Sequence, residues 1–77
     1  MTRAEFISEF TALLELPAGS LTPETVMAEL EGWDSVAYLT AMVMIDEQLA
    51  ITITPDVLSK SETFGGILDA VQGALSG

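Results

Sequence analysis

Apolar residues along this chain recur mostly at helical spacing, and three stretches carry that pattern. Phe6, Phe10, Leu13 and Leu14 make the first core-facing stripe. Thr2, with Glu5 three residues on, supplies the reciprocal pairing that satisfies free amides at a helix start. A helix is therefore predicted from roughly Thr2 to Leu16, ended by Pro17-Ala18-Gly19, because the residue before a proline is pushed out of helical geometry. The second stretch is the apolar run to Leu49, with Asp34 as a capping carboxylate suited to the positive end of the helix dipole. It predicts a helix starting at Ser35 or Val36. The third is Phe64, Ile67, Leu68, Val71 and Leu75, capped by Thr63 and closing with Gly77.

The connections are less regular. Between Pro17 and Trp33 a Thr22-Pro23 start signal predicts one short helical turn around Pro23 to Leu30, pinned to the core by Val26, Met27 and Leu30. The segment Ile51 to Thr54 alternates with a period of two. No second strand exists to pair with it, so it reads as an extended linker whose two isoleucines point inward. Thr54-Pro55 repeats the cap-then-proline signature and opens a short helix through Leu58 or Ser59. Gly65-Gly66 costs helix propensity, about 1 kcal/mol per glycine, which suggests close approach of a neighbouring element.

These elements define an all-α fold: a small bundle of three longer helices plus one short helix, with a long loop between helices one and two. At 77 residues the chain reads as one domain over residues 1–77. A chain this small buries only about 60% of its unfolded surface. Cysteine is absent, so disulfides and zinc-thiolate sites are excluded and stability must come from apolar packing.

The second helix has more apolar surface than four short helices can cover. From Val36 to Ile45 only Thr40 is clearly polar, with Tyr38 amphipathic. Leu39, Met42, Ile45 and Leu49 are assigned to the core. Val36, Ala37, Val43 and Met44 are assigned to a side that faces a partner, with Thr40 in the same stretch. Asp46 and Glu47 then arrive together near the helix end, where carboxylates oppose the dipole. A basic partner could use them.

Twelve acidic residues against Arg3 and Lys60 give a formal charge of −10. That field repels nucleic acid and anionic membrane surfaces, so partners should carry basic or apolar docking patches. The amino terminus lacks the basic start and apolar run of a secretory signal, and "AMVMI" is too short to span a bilayer. A cytoplasmic monomer without membrane insertion is the expectation. Histidine is absent as well, removing the usual general base and the commonest transition-metal ligand. No catalytic or metal-binding residues are assigned.

Ser35 remains. Its hydroxyl stands in a first helical turn beside free amide donors that favour a phosphate. With no histidine or lysine nearby it has no base to activate it, so it can be modified by an enzyme but is not itself a nucleophile. The segment "GWDSVAYLTAMVMIDEQLAITI" resembles the central part of acyl carrier proteins, in which Asp-Ser opens the second helix and the serine carries 4'-phosphopantetheine. The order of helices and the acidity extend the resemblance over the whole chain. It implies that Ser35 is the attachment serine and that Asp34 helps present the site to a phosphopantetheinyl transferase and its magnesium-bound coenzyme A. It further implies that Val36 is an apolar partner contact, that Asp46 and Glu47 are an acidic docking pair, and that Ile53 lies at the prosthetic-group end of a helical cleft. Members serving fatty acid synthesis place acids early in the second helix, where this chain has Ala37, Tyr38 and Thr40, which favours a more apolar interface.

The resemblance implies a carrier that holds acyl intermediates as thioesters on the arm and delivers them to partner enzymes, in fatty acid, polyketide or another specialised acyl pathway. An acyl thioester needs a thiol; this chain has none, so the arm must supply it. Two alternatives stand beside this reading: an aminoacyl or peptidyl carrier bearing the same modification, and an unmodified helical adaptor that binds a partner through the second helix.

Overall fold

The computed structural model describes residues 1–76. Four α-helices follow in order: α1 (Arg3–Leu13), α2 (Ser35–Leu49), α3 (Pro55–Lys60) and α4 (Phe64–Val71), with tight 3-10 turns at Met27–Glu29 and Gln72–Ala74. Three longer helices, one short one and a long first connection agree with the predicted all-α bundle. The closing residue predicted for the last helix, Gly77, lies outside the described residues.

α1 opens as its sequence predicts. The Glu5 amide donates to the Thr2 hydroxyl at 3.1 Å, and the Thr2 amide donates to the Glu5 carboxylate at 3.0 Å. That backbone bond is the main reason the Glu5 carboxyl is held below the usual carboxylate range. The helix stops at Leu13, three residues before the predicted end. Glu15 turns into the left-handed region at φ 57°, the Leu16 amide reaches back to the Thr11 carbonyl, and the Glu15 amide reaches the Ala12 carbonyl. This 6→1 and 5→2 pair closes a helix from within, before Pro17 is reached.

The long connection is shorter in helix than predicted and better tied down. Thr22 and Thr25 form a hydrogen-bonded turn, and only Met27–Glu29 winds. Met27 is buried and Leu30 packs half-buried, but Val26 is 41% exposed and does not pin the segment. An isolated antiparallel bridge, Val26 to Thr63, joins the connection to the start of α4. That bridge corrects a second expectation, since the Thr63 side chain caps nothing. The Phe64 amide donates to the Thr25 carbonyl at 3.0 Å and the Gly65 amide to the Pro23 carbonyl at 2.9 Å, so carbonyls distant in sequence satisfy the free donors. The close approach suspected at the glycine pair is real: a Cβ on Gly65 would lie 3.0 Å from the Pro23 oxygen.

Residues 51–54 form no regular element and run extended into α3, with Ile53 buried and Ile51 half-buried. α3 continues to Lys60, slightly beyond the predicted Leu58 or Ser59, and Lys60 pairs with Asp56 at 3.3 Å on the open surface. α4 loses its α-helical bonding at Val71, and the tight turn carries Leu75 back to half-burial. Ser76 then donates through its amide to the Met1 carbonyl at 3.0 Å.

The core joins a cluster of aromatic rings to aliphatic side chains. Phe6, Phe10 and Phe64 are fully buried, with Phe10–Phe64 ring centroids 5.1 Å apart and Phe6–Phe64 centroids 6.2 Å apart. Ile45, Leu58, Ile67, Leu68 and Val71 complete it. Thr11, buried among them, donates its hydroxyl to the Ile7 carbonyl.

Candidate functional site at the start of α2

α2 turns one seam inward. Ala37, Ala41 and Ile45, spaced four apart, are buried, and two alanines in that column let the helix lie close against the bundle. Tyr38, Met42, Met44 and Leu49 flank the seam at half-burial. The opposite face carries Val36, Leu39 and Val43, which are 69%, 61% and 56% exposed. Thr40, exposed beside them, donates its hydroxyl to the Val36 carbonyl at 3.0 Å, which leaves the face with little polar character.

This placement corrects four assignments. Ala37 is 9% exposed, so it packs the bundle and is closed to a visiting protein. Leu39, assigned to the core, belongs to the outward face: Val36, Leu39 and Val43 follow the three-and-four spacing of a single stripe. Ile53 is 7% exposed and joins the core cluster, so it is not a free contact; it floors a small groove of about 240 Å3 beside Met42, Val43, Asp46 and Thr52. Met44 is half-buried rather than outward. Val36, Thr40, Val43, Asp46 and Glu47 are all exposed, as the sequence suggests.

Asp34 fixes where the helix begins. Its backbone is extended, and its carboxylate accepts the Ala37 amide at 3.0 Å. Its carbonyl accepts the Tyr38 amide at 2.9 Å. Ser35 is therefore the first residue of α2, exposed, with its hydroxyl at the positive end of a 15-residue helix. The Trp33 indole, packed on Phe10 at 5.6 Å, and the Tyr38 ring, edge-on to Trp33 at 4.7 Å, stand on either side of it in sequence. They wall a groove of about 600 Å3 that also takes in Val26, Met27, Ser59 of α3 and the residues following α3. The spacing of Trp33 and Tyr38 about Ser35 signals this groove in the sequence, but its far wall comes from distant residues and does not show there.

The surroundings suit a covalent phosphate ester. A hydroxyl is open to solvent at the end of a helix that favours negative charge. No histidine or cysteine exists in the chain to make that hydroxyl a nucleophile or to replace the missing thiol. The arrangement joins an accessible serine at a helix start to an apolar face running away from it.

Comparison with known proteins agrees. The family model described as "Phosphopantetheine attachment site" matches residues 4–71. The acyl carrier protein MbtL of Mycolicibacterium paratuberculosis is 32% identical over 68 residues, covering 88% of this chain and 76% of that protein. No solved structure gives a significant match. The chain belongs to the phosphopantetheine-bearing carrier family, with the acyl carrier proteins as its kin. Its cofactor is accordingly a covalent 4'-phosphopantetheine, and the chain is a carrier and not an enzyme. Such carriers work with a phosphopantetheinyl transferase and acyl-handling enzymes. No helix among the described residues is long and apolar enough to cross a membrane.

Proposed function

We propose that Ser35 carries the 4'-phosphopantetheine arm and that the chain shuttles acyl thioesters between enzymes of a specialised acyl pathway. The single observation that supports this most is the exposed Ser35 hydroxyl at the Asp34-capped start of α2, inside the matched span. On loading, the Ser35 oxygen forms a bond to the pantetheine-side phosphorus of coenzyme A while the bond from that phosphorus to the bridging oxygen breaks. The leaving group is adenosine bisphosphate, and the serine proton passes to a base of the transferase, because this chain offers none. Asp34 orients Ser35 through the cap and gives the transferase a carboxylate beside the reacting centre. The arm, once bound, supplies the thiol that holds the acyl group.

Partner enzymes dock on Val36, Leu39, Thr40 and Val43, with Asp46 and Glu47 at the far end of α2 guiding basic surfaces. Ala37 and Ile53 support that face from beneath. The tether then raises the local concentration of cargo at each partner active site, a gain that needs no catalytic group on the carrier.

The test is intact-mass measurement after incubation with coenzyme A, magnesium and a promiscuous phosphopantetheinyl transferase. Wild type should gain one arm and Ser35→Ala none. A wild type that stays unmodified, or a Ser35→Ala variant that still gains the arm, refutes the assignment.

A further inference from the structure

Ser35 is exposed, and the chain that leads to it is held to the bundle by a single side chain. From Glu31 to Val36 every side chain is exposed except Trp33, which packs half-buried against the core. Leu30 before this stretch and Ala37 after it are the next side chains drawn inward. The capping bonds do not fill that gap. The Asp34 carboxylate and carbonyl accept the amides of Ala37 and Tyr38, so both bonds lie within the first turns of α2 and travel with the helix. They fix how the helix winds and leave open the angle at which the chain enters it.

Trp33 sets that angle. Counted from the cap at Asp34, Trp33 is the residue before it and Tyr38 is the fourth residue of the helix, the two positions whose apolar contact staples a helix start. Here the contact is aromatic, with ring centroids 4.7 Å apart and planes at 62°. Trp33 rests in turn on Phe10 of α1 at 5.6 Å, and Phe10 on Phe64 of α4 at 5.1 Å. The row of rings therefore runs from the start of α2 to two fully buried phenylalanines. Ser35, directly after the cap, sits inside this clamp.

On the reading that Ser35 carries the arm, we infer that Trp33 and Tyr38 are positioning residues for arm loading: their staple holds the Ser35 hydroxyl in the orientation the transferase requires. The effect passes through the backbone of Asp34 and Ser35, and it comes from the Tyr38 ring, not its hydroxyl. Val36, Leu39 and Val43, the docking face, lie on the opposite side of α2 from the buried seam. Loosening the staple therefore leaves the encounter with the transferase intact and misplaces the hydroxyl in the docked complex. A displacement of about 1 Å at a reacting group can cost about a hundredfold in rate.

The test is steady-state loading with coenzyme A, magnesium and a phosphopantetheinyl transferase, varying the carrier as substrate, at a temperature where circular dichroism shows each variant folded. Tyr38→Ala and Trp33→Ala should each lower kcat about tenfold, while KM for the carrier stays within about twofold. Tyr38→Phe and Trp33→Phe keep a ring at each position and should restore most of kcat. In a double-mutant cycle the second alanine should add little, because the staple breaks only once. Tyr38→Ala leaves Trp33 on Phe10, so it decides the question even where Trp33→Ala melts below the assay temperature. Wild-type kcat in Tyr38→Ala, a loss carried by KM alone, a Tyr38→Phe carrier as slow as Tyr38→Ala, or losses that multiply in the double variant would each overturn the staple's role. None of these touches the assignment of the arm to Ser35. A wild type that never loads overturns both.

Discussion

Gly65→Ala is expected to destabilise the protein, against the ordinary rule for a glycine inside a helix. By propensity alone the change should add about 1 kcal/mol. Here the new methyl would meet the Pro23 carbonyl oxygen at 3.0 Å, with the Pro23 Cβ at 3.6 Å on the same side. That oxygen is not free to retreat, because it accepts the Gly65 amide at 2.9 Å, and the segment behind it is held by the Val26–Thr63 bridge. Overpacking of a tight site typically costs about 1–3 kcal/mol, so the net change is a loss of about 1 kcal/mol. For a domain of this size that lowers Tm by about 4–8 °C. Gly73→Ala is the control, since a Cβ there meets nothing within 4 Å and its φ is one that alanine accepts. It should hold Tm or raise it slightly. Thermal melts followed by circular dichroism distinguish the cases. A Gly65→Ala protein that melts above wild type would refute the reasoning, and would mean that the connection can give way.

Three further outcomes are expected. Asp34→Ala should lose the cap to the Ala37 amide and about 1 kcal/mol of stability, read as a lower Tm, whereas Asp34→Asn keeps the cap and should slow only arm loading; equal melts for the two would contradict the capping role. Leu39→Glu, on the outward stripe, should cut transferase kcat/KM about tenfold, near 1.4 kcal/mol, with Tm unchanged; an unaffected rate would remove Leu39 from the docking face. The charge of −10 on a molecule 28 by 25 by 18 Å should make Tm rise with salt, because the screening length shrinks from about 30 Å at 0.01 M to about 10 Å at 0.1 M; melts that do not move would show the repulsion to be negligible.

What could be read in the sequence follows from how local each determinant is. Thr2 with Glu5, and Asp34 with the Ala37 amide, act within three residues, and both appear as predicted. The end of α1 was hidden because a glutamate, Glu15, takes the left-handed position that glycine usually marks. Thr63 looks like a cap, but the donors it should serve are taken by Thr25 and Pro23, a pairing that exists only once the chain has folded. On α2 the apolar residues run nearly all round, so periodicity alone does not choose the inward seam. The small Ala37 and Ala41 chose it, by allowing close packing, and Leu39 was left outside. The assignment of the arm to Ser35 is a proposal that came from the resemblance of its segment to acyl carrier proteins; the lack of histidine and cysteine shows only that the chain brings no such chemistry of its own.

The most direct measurement is fragmentation mass spectrometry of the loaded protein, locating the arm residue by residue. One phosphopantetheine on Ser35, with Ser8, Ser20, Ser59, Ser61 and Ser76 unmodified, is the expected result. An arm on any other serine would contradict the claim that the Asp34-capped end of α2 is where this carrier holds its cargo.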